Sequence, residues 1–350
     1  MKLVIQLPCY EEAGQLPATL AGLPRRVDGI DEVMWLVVDD GSRDGTAHVA
    51  AAGGADKVVR LKRHRGLAAT FQAGMDAALQ AGADIVVTID GDGQFDGRDI
   101  PRLVQPLLDG DADVTIGDRD VRQVAYFSWS KRLLQRLGSA VVRRASGTQV
   151  CDTTSGFRAY DREAALSTEV FCGFTYTLDT LIRAGRNGLA VRDVAVATEP
   201  ASRPSRLYTS VWTYLRRAIV SIYRSHARYA PKSLFLPASA AVLLLAAGIL
   251  SAARGLPGVV SAAVVAVLTA QLATVGLIAW LASESSRLTD ATLVRVRRIE
   301  LAGDNPVNGV LVAHQPTVDC DLADGREDPS PPDFGPRAPS DTAELSHQAR

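Results

Sequence analysis

The chain has 350 residues, of which 47% are hydrophobic and 22% are charged, and its formal net charge is −1. This length allows one large domain with additional segments, and the balanced charge argues against a protein that binds nucleic acid. Its four cysteines form no CxxC pair and no set with metal-ligand spacing. That pattern is typical of reduced thiols in a protein that faces the cytosol.

Short apolar runs alternate with helical patterns along the first part of the chain. The predicted strands are 3–7, 33–38, 57–61, 84–89 and 112–116, and the predicted helices are near 14–23, 44–53, 67–82 and 99–109. Further along, the patterns predict a helix at 125–146, strands at 156–160 and 189–197, and a helix at 174–186. This alternation predicts an α/β fold with a mostly parallel sheet and helices on both faces.

The first two predicted strands end in polar side chains. The run Pro8-Cys9-Tyr10-Glu11-Glu12 follows the first strand, where Tyr10 could pack on a base and Glu12 could cap a helix. The second strand ends in Asp39 and Asp40, whose carboxylates could accept hydrogen bonds from a nucleobase and a ribose hydroxyl. The alternative for this second site is a turn followed by a helix cap, and both interpretations can hold together.

The most informative stretch is the strand at 84–89 and the residues that follow it. It runs directly into Asp90-Gly91-Asp92-Gly93-Gln94, and open α/β sheets bind ligands at this carboxyl edge. Asp90, Asp92 and Gln94 offer oxygen atoms, which Mg²⁺ and Mn²⁺ prefer. Because such a cation usually shares its shell with phosphate, the stretch favours a nucleoside-diphosphate site over ordinary loop carboxylates.

Several motifs together carry a family resemblance. PCYEE, VVDDGSRDGT, RGLAATFQAG and DGDGQFD, in this order and spacing, resemble the inverting glycosyltransferases of the GT-A fold. The segments 152–158 and 203–207 are similar to those of the polyprenyl-phosphate (dolichyl-phosphate-like) glycosyltransferases of family 2. The resemblance covers residues 1 to about 230. The chain departs from the family pattern at Glu11 and His64, where Asn is common, and at Gly91, where Ala is common.

The resemblance implies transfer of a sugar, with inversion, from a UDP- or GDP-linked donor to polyprenyl phosphate, with Mg²⁺ or Mn²⁺ as cofactor. The implied donor-binding residues are Pro8, Tyr10, Glu12, Asp39, Asp40 and Asp90. The implied catalytic residues are Asp92, Arg119 and Asp152, and the implied metal ligands are Asp90, Asp92 and Gln94. The acceptor phosphate would be bound by Arg119, Arg132, Arg136, Arg203 and Arg206. An ordinary surface arginine is the alternative at each of these five positions, and a turn-forming role is the alternative for Asp152.

Two long uncharged segments, 234–253 and 256–283, follow the motifs. Each is long enough to cross a bilayer, which needs about 20 apolar residues. The short link between them predicts a hairpin, and the arginines on its outer flanks place both ends in the cytoplasm. The alternative is a buried helical hairpin of a soluble domain.

These patterns divide the chain into four parts. We expect a GT-A catalytic domain at 1–206, a basic amphipathic juxtamembrane helix at 207–232, two transmembrane helices at 233–283, and a largely disordered tail at 284–350. The expected location is the cell membrane, with the catalytic domain and both termini in the cytoplasm. The expected partners are the lipid bilayer, the nucleotide sugar and polyprenyl phosphate. A homo-oligomer and a juxtamembrane helix that simply packs on the catalytic domain both stay open.

Two other functions fit parts of the sequence. The first is a membrane glycosyltransferase with a hydroxyl acceptor, in which Asp152 would be the general base. The second is a nucleotide-sugar-binding membrane scaffold without catalysis. The intact set of Asp90, Asp92 and Gln94 argues against a scaffold, because a non-catalytic protein has no need of metal ligands.

Overall fold

The structure is a computed structural model that describes residues 1–119, 129–170, 176–198 and 256–302, with isolated positions between 220 and 248. The strands are β1 (Lys2–Cys9), β2 (Glu32–Asp39), β3 (Lys57–Arg60), β4 (Ile85–Thr88), β5 (Val114–Asp118), β6 (Arg158–Asp161) and β7 (Val191–Ala195). The helices are α1 (Leu16–Ala21), α2 (Thr46–Ala52), α3 (Leu67–Gln80), α4 (Ile100–Leu108), α5 (Trp129–Ser146), α6 (Arg162–Ser167), α7 (Tyr176–Arg186) and α8 (Leu256–Ala302).

The seven strands form one sheet in the order β3-β2-β1-β4-β6-β5-β7. All neighbouring strands are parallel except β6, which is antiparallel to both β4 and β5. The predicted α/β class with a mostly parallel sheet is therefore confirmed. Helix α6, which has six residues, was not predicted. It begins where the side chain of Asp161 accepts a hydrogen bond from the backbone N–H of Ala164.

Alternation along the central strands separates two hydrophobic cores. Val4 faces the core that contains α3, where it clusters with Phe71 and Met75. Its neighbours Leu3 and Ile5 face the other core, which also contains residues of α1 and α4. Both faces of β1 are thus covered, and such doubly buried strands read as continuous apolar runs. This packing fixes the carboxyl ends of the central strands, where the functional motifs lie.

Helix α8 bears on the predicted membrane region. Within the described part of the chain, one 20-residue stretch, Ala263–Ala282, is long and apolar enough to cross a membrane, and none of it is buried against protein. The first predicted span, 234–253, lies mostly outside the described residues, as do Arg203, Arg206 and most of 207–232, so the two-helix hairpin stays a prediction. Helix α8 continues without a break past residue 283, where the second predicted span ends, to Ala302, and the largely disordered tail stays a prediction.

Gly185 marks a point where α7 and α5 touch. A Cβ added there would lie 2.2 Å from the carbonyl oxygen of Ser146, a backbone atom that cannot swing away. We expect Gly185→Ala to lower the free energy of unfolding by roughly 1–3 kcal/mol, because the two helices must separate. Gly138→Ala on α5, where a Cβ meets no atom within 4 Å, should instead stabilise by about 0.5–1 kcal/mol. Thermal unfolding of the two variants in detergent checks this, and equal midpoints would contradict the packing.

Candidate active site

Three neighbouring strands bring the predicted acidic motifs to one edge of the sheet. β1 lies between β2 and β4, with Cys9 opposite Asp39 and Gln6 opposite Thr88. Backbone hydrogen bonds continue the pairing past the strand ends, from Asp40 N to Cys9 O and from Ile89 N to Gln6 O. The predicted clustering of the residues after β1, β2 and β4 is therefore what the fold produces.

The carboxylates after β2 hold the adjacent loop. Asp40 accepts hydrogen bonds from the backbone N–H groups of Arg65 (2.7 Å) and Gly66 (2.8 Å), and His64 Nδ1 lies 2.8 Å from its Oδ2. Asp39 accepts from Ser42 N at 3.0 Å. Asp40 thus anchors the loop that leads into α3. The hydrogen bond from Ser42 to Asp39 fits the turn that the sequence left open, the anchoring role of Asp40 was not predicted, and contact with a nucleotide stays a prediction for both residues.

The residues after β1 line the same edge. Pro8 is buried within β1, and the ring of Tyr10 lies 4.0 Å from the ring of His64, centroid to centroid. Glu12 is buried, and its backbone N–H donates to Thr46 Oγ1 at 2.9 Å. Tyr10 and His64 therefore form a small aromatic wall beside Asp40. Their predicted contact with a base remains a prediction.

Asp92 is close enough to Asp90 to affect its ionisation. Burial of Asp90 and then the negative charge of Asp92 raise the pKa of Asp90 to about 7, although Arg119 and Arg158 act in the opposite direction. Gln94 fixes Asp92 by donating its backbone N–H at 3.1 Å and its side-chain amide at 2.6 Å. Gln94 thus contacts Asp92 directly, and its own coordination of a metal stays a prediction.

A second segment, residues 152–158, lies against Asp90. A Cβ added at Gly156 would lie 2.8 Å from Asp90 Oδ2, so glycine allows this close approach. The hydroxyl of Tyr176 donates to Gly156 O at 3.0 Å. Tyr176 also stacks on Phe71 of α3, with ring centroids 3.9 Å apart. Helices α3 and α7 therefore support the 152–158 segment. This segment closes one side of the acidic edge, the group formed by Asp39, Asp90 and Asp92.

Arg119 forms an ion pair with Asp152 of the 152–158 segment. Arg119 donates from Nε to Asp152 Oδ2 at 2.5 Å and from Nη2 to Asp152 Oδ1 at 3.0 Å, and Nη2 also reaches Thr154 Oγ1 at 2.8 Å. Burial opposes ionisation of Asp152, but the charge and hydrogen bonds of Arg119 outweigh it and hold the pKa of Asp152 below its usual range. Two of the three predicted catalytic residues, Arg119 and Asp152, therefore contact each other directly.

Arg158 was missed as a site residue by sequence reasoning. Its fully buried guanidinium donates to Ser155 O (2.8 Å), Thr180 Oγ1 (3.0 Å) and Thr153 O (3.0 Å). It thus holds the backbone of the 152–158 segment from inside the sheet. The available signal was a charged residue inside the apolar run from Phe157 to Tyr160, which indicates a buried and fully hydrogen-bonded side chain.

The remaining predicted arginines are only partly described. Arg132 and Arg136 lie on α5, and their side chains are outside the described set.

A cysteine also joins an acidic group that was not predicted, because ligand atoms of Asp118, Cys151 and Asp193 lie within 4.8 Å of one another. Burial and the two carboxylates raise the pKa of the Cys151 thiol, which disfavours the thiolate that binds metal.

Comparisons with known proteins agree with this architecture. The model of the family described as glycosyl transferase family 2 matches residues 4–167. The polyprenol monophosphomannose synthase of Mycolicibacterium smegmatis is 32% identical over 206 residues, covering 56% of this chain and 76% of that protein. The undecaprenyl-phosphate mannosyltransferase of Micrococcus luteus is 30% identical over 206 residues, covering 56% and 83%.

One solved structure is similar at a lower level. Glucosyl-3-phosphoglycerate synthase from Mycobacterium tuberculosis, in complex with Mn²⁺, UDP and glucosyl-3-phosphoglycerate, is 22% identical with a TM-score of 0.48 and covers 64% of this chain and 79% of that chain. The sheet, its acidic edge and the sequence matches together define a glycosyltransferase. The chain belongs to glycosyltransferase family 2.

The contact between Cys9 and Gly91 gives a first test of the site. A Cβ at Gly91 would lie 2.6 Å from the buried Sγ of Cys9, so the thiol fills the space of the alanine that is common in the family. We expect Gly91→Ala to displace the Asp90–Asp92 loop and destabilise the protein, and Cys9→Ala to relieve that effect. Thermal unfolding of the four variants should give a coupling of about 0.5–3 kcal/mol. Additive effects would contradict direct contact.

The Arg119–Asp152 pair predicts a pH dependence. Because the folded-state pKa of Asp152 is lowered, the pair stabilises fully above the ordinary carboxyl pKa of about 3.9, and that stability is lost as the pH falls through the folded-state pKa. Arg119→Ala leaves a buried carboxylate unpaired and should cost roughly 3–5 kcal/mol at neutral pH. The deficit should shrink on acidification, when Asp152 becomes protonated.

Denaturant unfolding at several pH values measures this dependence. The control is Arg119→Ala combined with Asp152→Asn, which removes both charges and should show a smaller, pH-independent deficit. An Arg119→Ala deficit that is the same at pH 7 and at the acid limit would rule out the ion pair as its origin.

Proposed function

We propose that this protein transfers a sugar from a nucleotide sugar to polyprenyl phosphate at the cytoplasmic face of the membrane, with inversion at the anomeric carbon. The observation that carries the proposal is the acidic edge formed by Asp39, Asp90 and Asp92, with the 152–158 segment closing one side. Two of the relatives, which align over 76% and 83% of their own length, are named for mannose transfer to a polyprenyl carrier. Mannose is therefore the first sugar to test.

A divalent cation fits the chemistry of the acidic edge. The raised pKa of Asp90, caused by burial and by Asp92, reflects two carboxylates that repel each other and that a bound cation would stabilise. We assign Asp90 and Asp92 as the ligands of Mg²⁺ or Mn²⁺, with Gln94 orienting Asp92. When bound, the cation would neutralise charge on the diphosphate leaving group.

The reaction requires an oxygen of the acceptor phosphate to form a bond to the anomeric carbon while the bond to the nucleoside diphosphate breaks. The electron pair of the broken bond leaves with the diphosphate, and a single displacement inverts the carbon. Because the phosphate is already anionic near neutral pH, the chain need not supply a strong general base. Its task is to hold the phosphate in line, for which the fork of arginine is suited. Arg119 is the candidate with a described side chain.

The structure bears on the alternative with a hydroxyl acceptor. That reaction needs a general base, and Asp152 was the candidate. Asp152 accepts two hydrogen bonds from Arg119, and although burial opposes ionisation its pKa is lowered overall. A carboxylate held in this way is a weak proton acceptor near neutral pH. This supports a phosphate acceptor, for which the pair can serve to position Arg119.

The proposal is tested with purified full-length protein in liposomes that contain polyprenyl phosphate. Labelled GDP-mannose, UDP-glucose and UDP-N-acetylglucosamine are supplied separately, and one of them should give an organic-soluble, acid-labile product. Chelation should abolish its formation and Mg²⁺ or Mn²⁺ should restore it. Asp92→Asn should lower the rate by about 10²–10³-fold, because leaving-group charge is no longer neutralised.

The matched control is Asp96→Asn in the same loop. Asp96 pairs with Arg98 and begins the 97–99 turn, and asparagine can keep that cap, so activity should change only a few-fold. If sugar is transferred only to a hydroxyl acceptor, polyprenyl phosphate is not the acceptor. Full turnover in the presence of chelator would rule out a metal requirement. Binding of the nucleotide sugar without any turnover would favour a non-catalytic scaffold.

A further inference from the structure

The end of α8 docks on the catalytic domain. The family match ends at residue 167, so this 47-residue helix lies outside it. Its apolar stretch ends at Ala282, and 12 residues later Val294 packs against the core that contains α3 and α6. One continuous helix thus carries both the candidate membrane span and a surface bound to the enzyme.

Arg297 provides the polar part of this contact. Its Nη1 donates to the carbonyl oxygens of Leu166 (3.2 Å) and Thr168 (3.0 Å), and its Nη2 donates to Asp76 Oδ1 at 2.8 Å. The two carbonyls lie at the carboxyl end of α6, where a positive charge is favoured by the helix dipole. One guanidinium therefore joins α8 to both α6 and α3, and its side chain is only 22% exposed.

Asp76, whose side chain is 33% exposed, has a second polar contact in this region. It accepts one further hydrogen bond, from Gln72 Nε2 at 3.1 Å. Burial raises the pKa of Asp76, and the charge of Arg297 opposes this rise. Gln72 in turn accepts from Val170 N at 3.1 Å through its Oε1. The contact is thus a connected polar network at the junction of three helices.

Helix α3 extends from this network to the active site. Gly66, at its start, donates to Asp40 and lies ten residues before Asp76, or about 15 Å along the helix axis. Phe71, halfway along, stacks on the tyrosine that holds Gly156 beside Asp90. A helix fixed to α3 at Asp76 is therefore fixed to the frame of the acidic edge.

We propose that Arg297 is a positioning residue that locks α8 to α3 and α6 and so sets the height and orientation of the active site over the membrane. This inference rests on the proposed transfer to a membrane-embedded prenyl phosphate. Arg297 lies 15 residues after Ala282, a distance of about 22 Å along a continuous helix. The docked helix acts as a rigid spacer between the bilayer and the catalytic domain, and its loss impairs reaction with an acceptor whose phosphate is held at the membrane surface.

The test compares Arg297→Met with Arg295→Met in the full-length protein. Methionine keeps the apolar stem and removes the charge, and Arg295 is exposed on the same helix. Each variant is assayed with long-chain polyprenyl phosphate in nanodiscs and with a short, water-soluble prenyl phosphate in detergent. Arg297→Met should lower the ratio of long-chain to short-chain rates by about tenfold, whereas Arg295→Met should leave the ratio unchanged. Arg297→Lys should fall between them, because lysine keeps the charge and loses the fork.

Hydrogen exchange of residues 284–302 gives a readout independent of activity. Exchange in this segment should accelerate in Arg297→Met and not in Arg295→Met, because an undocked helix end frays. Unchanged exchange would overturn the docking, and equal loss of both activities would show a general structural role instead of positioning. If the wild-type protein uses neither prenyl phosphate, the proposed function fails and the positioning role falls with it, while the exchange comparison still decides the docking.

Discussion

The guanidinium of Arg158 is completely buried, and the arrangement of the acidic edge depends on it. Among the described residues its hydrogen bonds go to neutral oxygens of Ser155, Thr180 and Thr153, and none goes to a carboxylate. Its charge instead acts on Asp90 through space and lowers the pKa that burial and Asp92 raise. Arg158 therefore fixes the 152–158 backbone and offsets part of the repulsion at the site. Loss of Arg158 would remove both the support of the 152–158 backbone and the positive charge that acts on Asp90.

The two arginines near the edge have different tasks because their partners differ. Arg119 is paired with a buried carboxylate, Asp152, and such a pair is worth more for the geometry it imposes than for net stability. Among the described residues Asp90 and Asp92 form no such ion pair, and the charge of Asp92 raises the pKa of Asp90. Arg119 and Arg158 thus organise the 152–158 segment beside the acidic edge.

Local pattern predicted most of the fold and the position of the acidic edge. β4 followed by Asp90 and Asp92 could be recognised because a buried strand and the residues after it are contiguous in sequence. The Arg119–Asp152 pair could not be derived in this way, because its members lie 33 positions apart and meet only through the sheet order. The extension of α8 to Ala302 could not be predicted either, because it continues past the apolar signal that marked the predicted end of the helix.

The continuity of α8 links two properties that a loop would keep independent. Removing or adding one residue between Ala282 and Arg297 would change the spacing by only about 1.5 Å but would turn the guanidinium by about 100° around the helix axis. Arg297 would then face away from Asp76 and from the end of α6. Inserting seven residues, close to two full turns, would keep Arg297 on nearly the same side of the helix and increase the spacing by about 10.5 Å. The number of residues between Ala282 and Arg297 is therefore limited more by the direction in which Arg297 must face than by the distance that the segment spans.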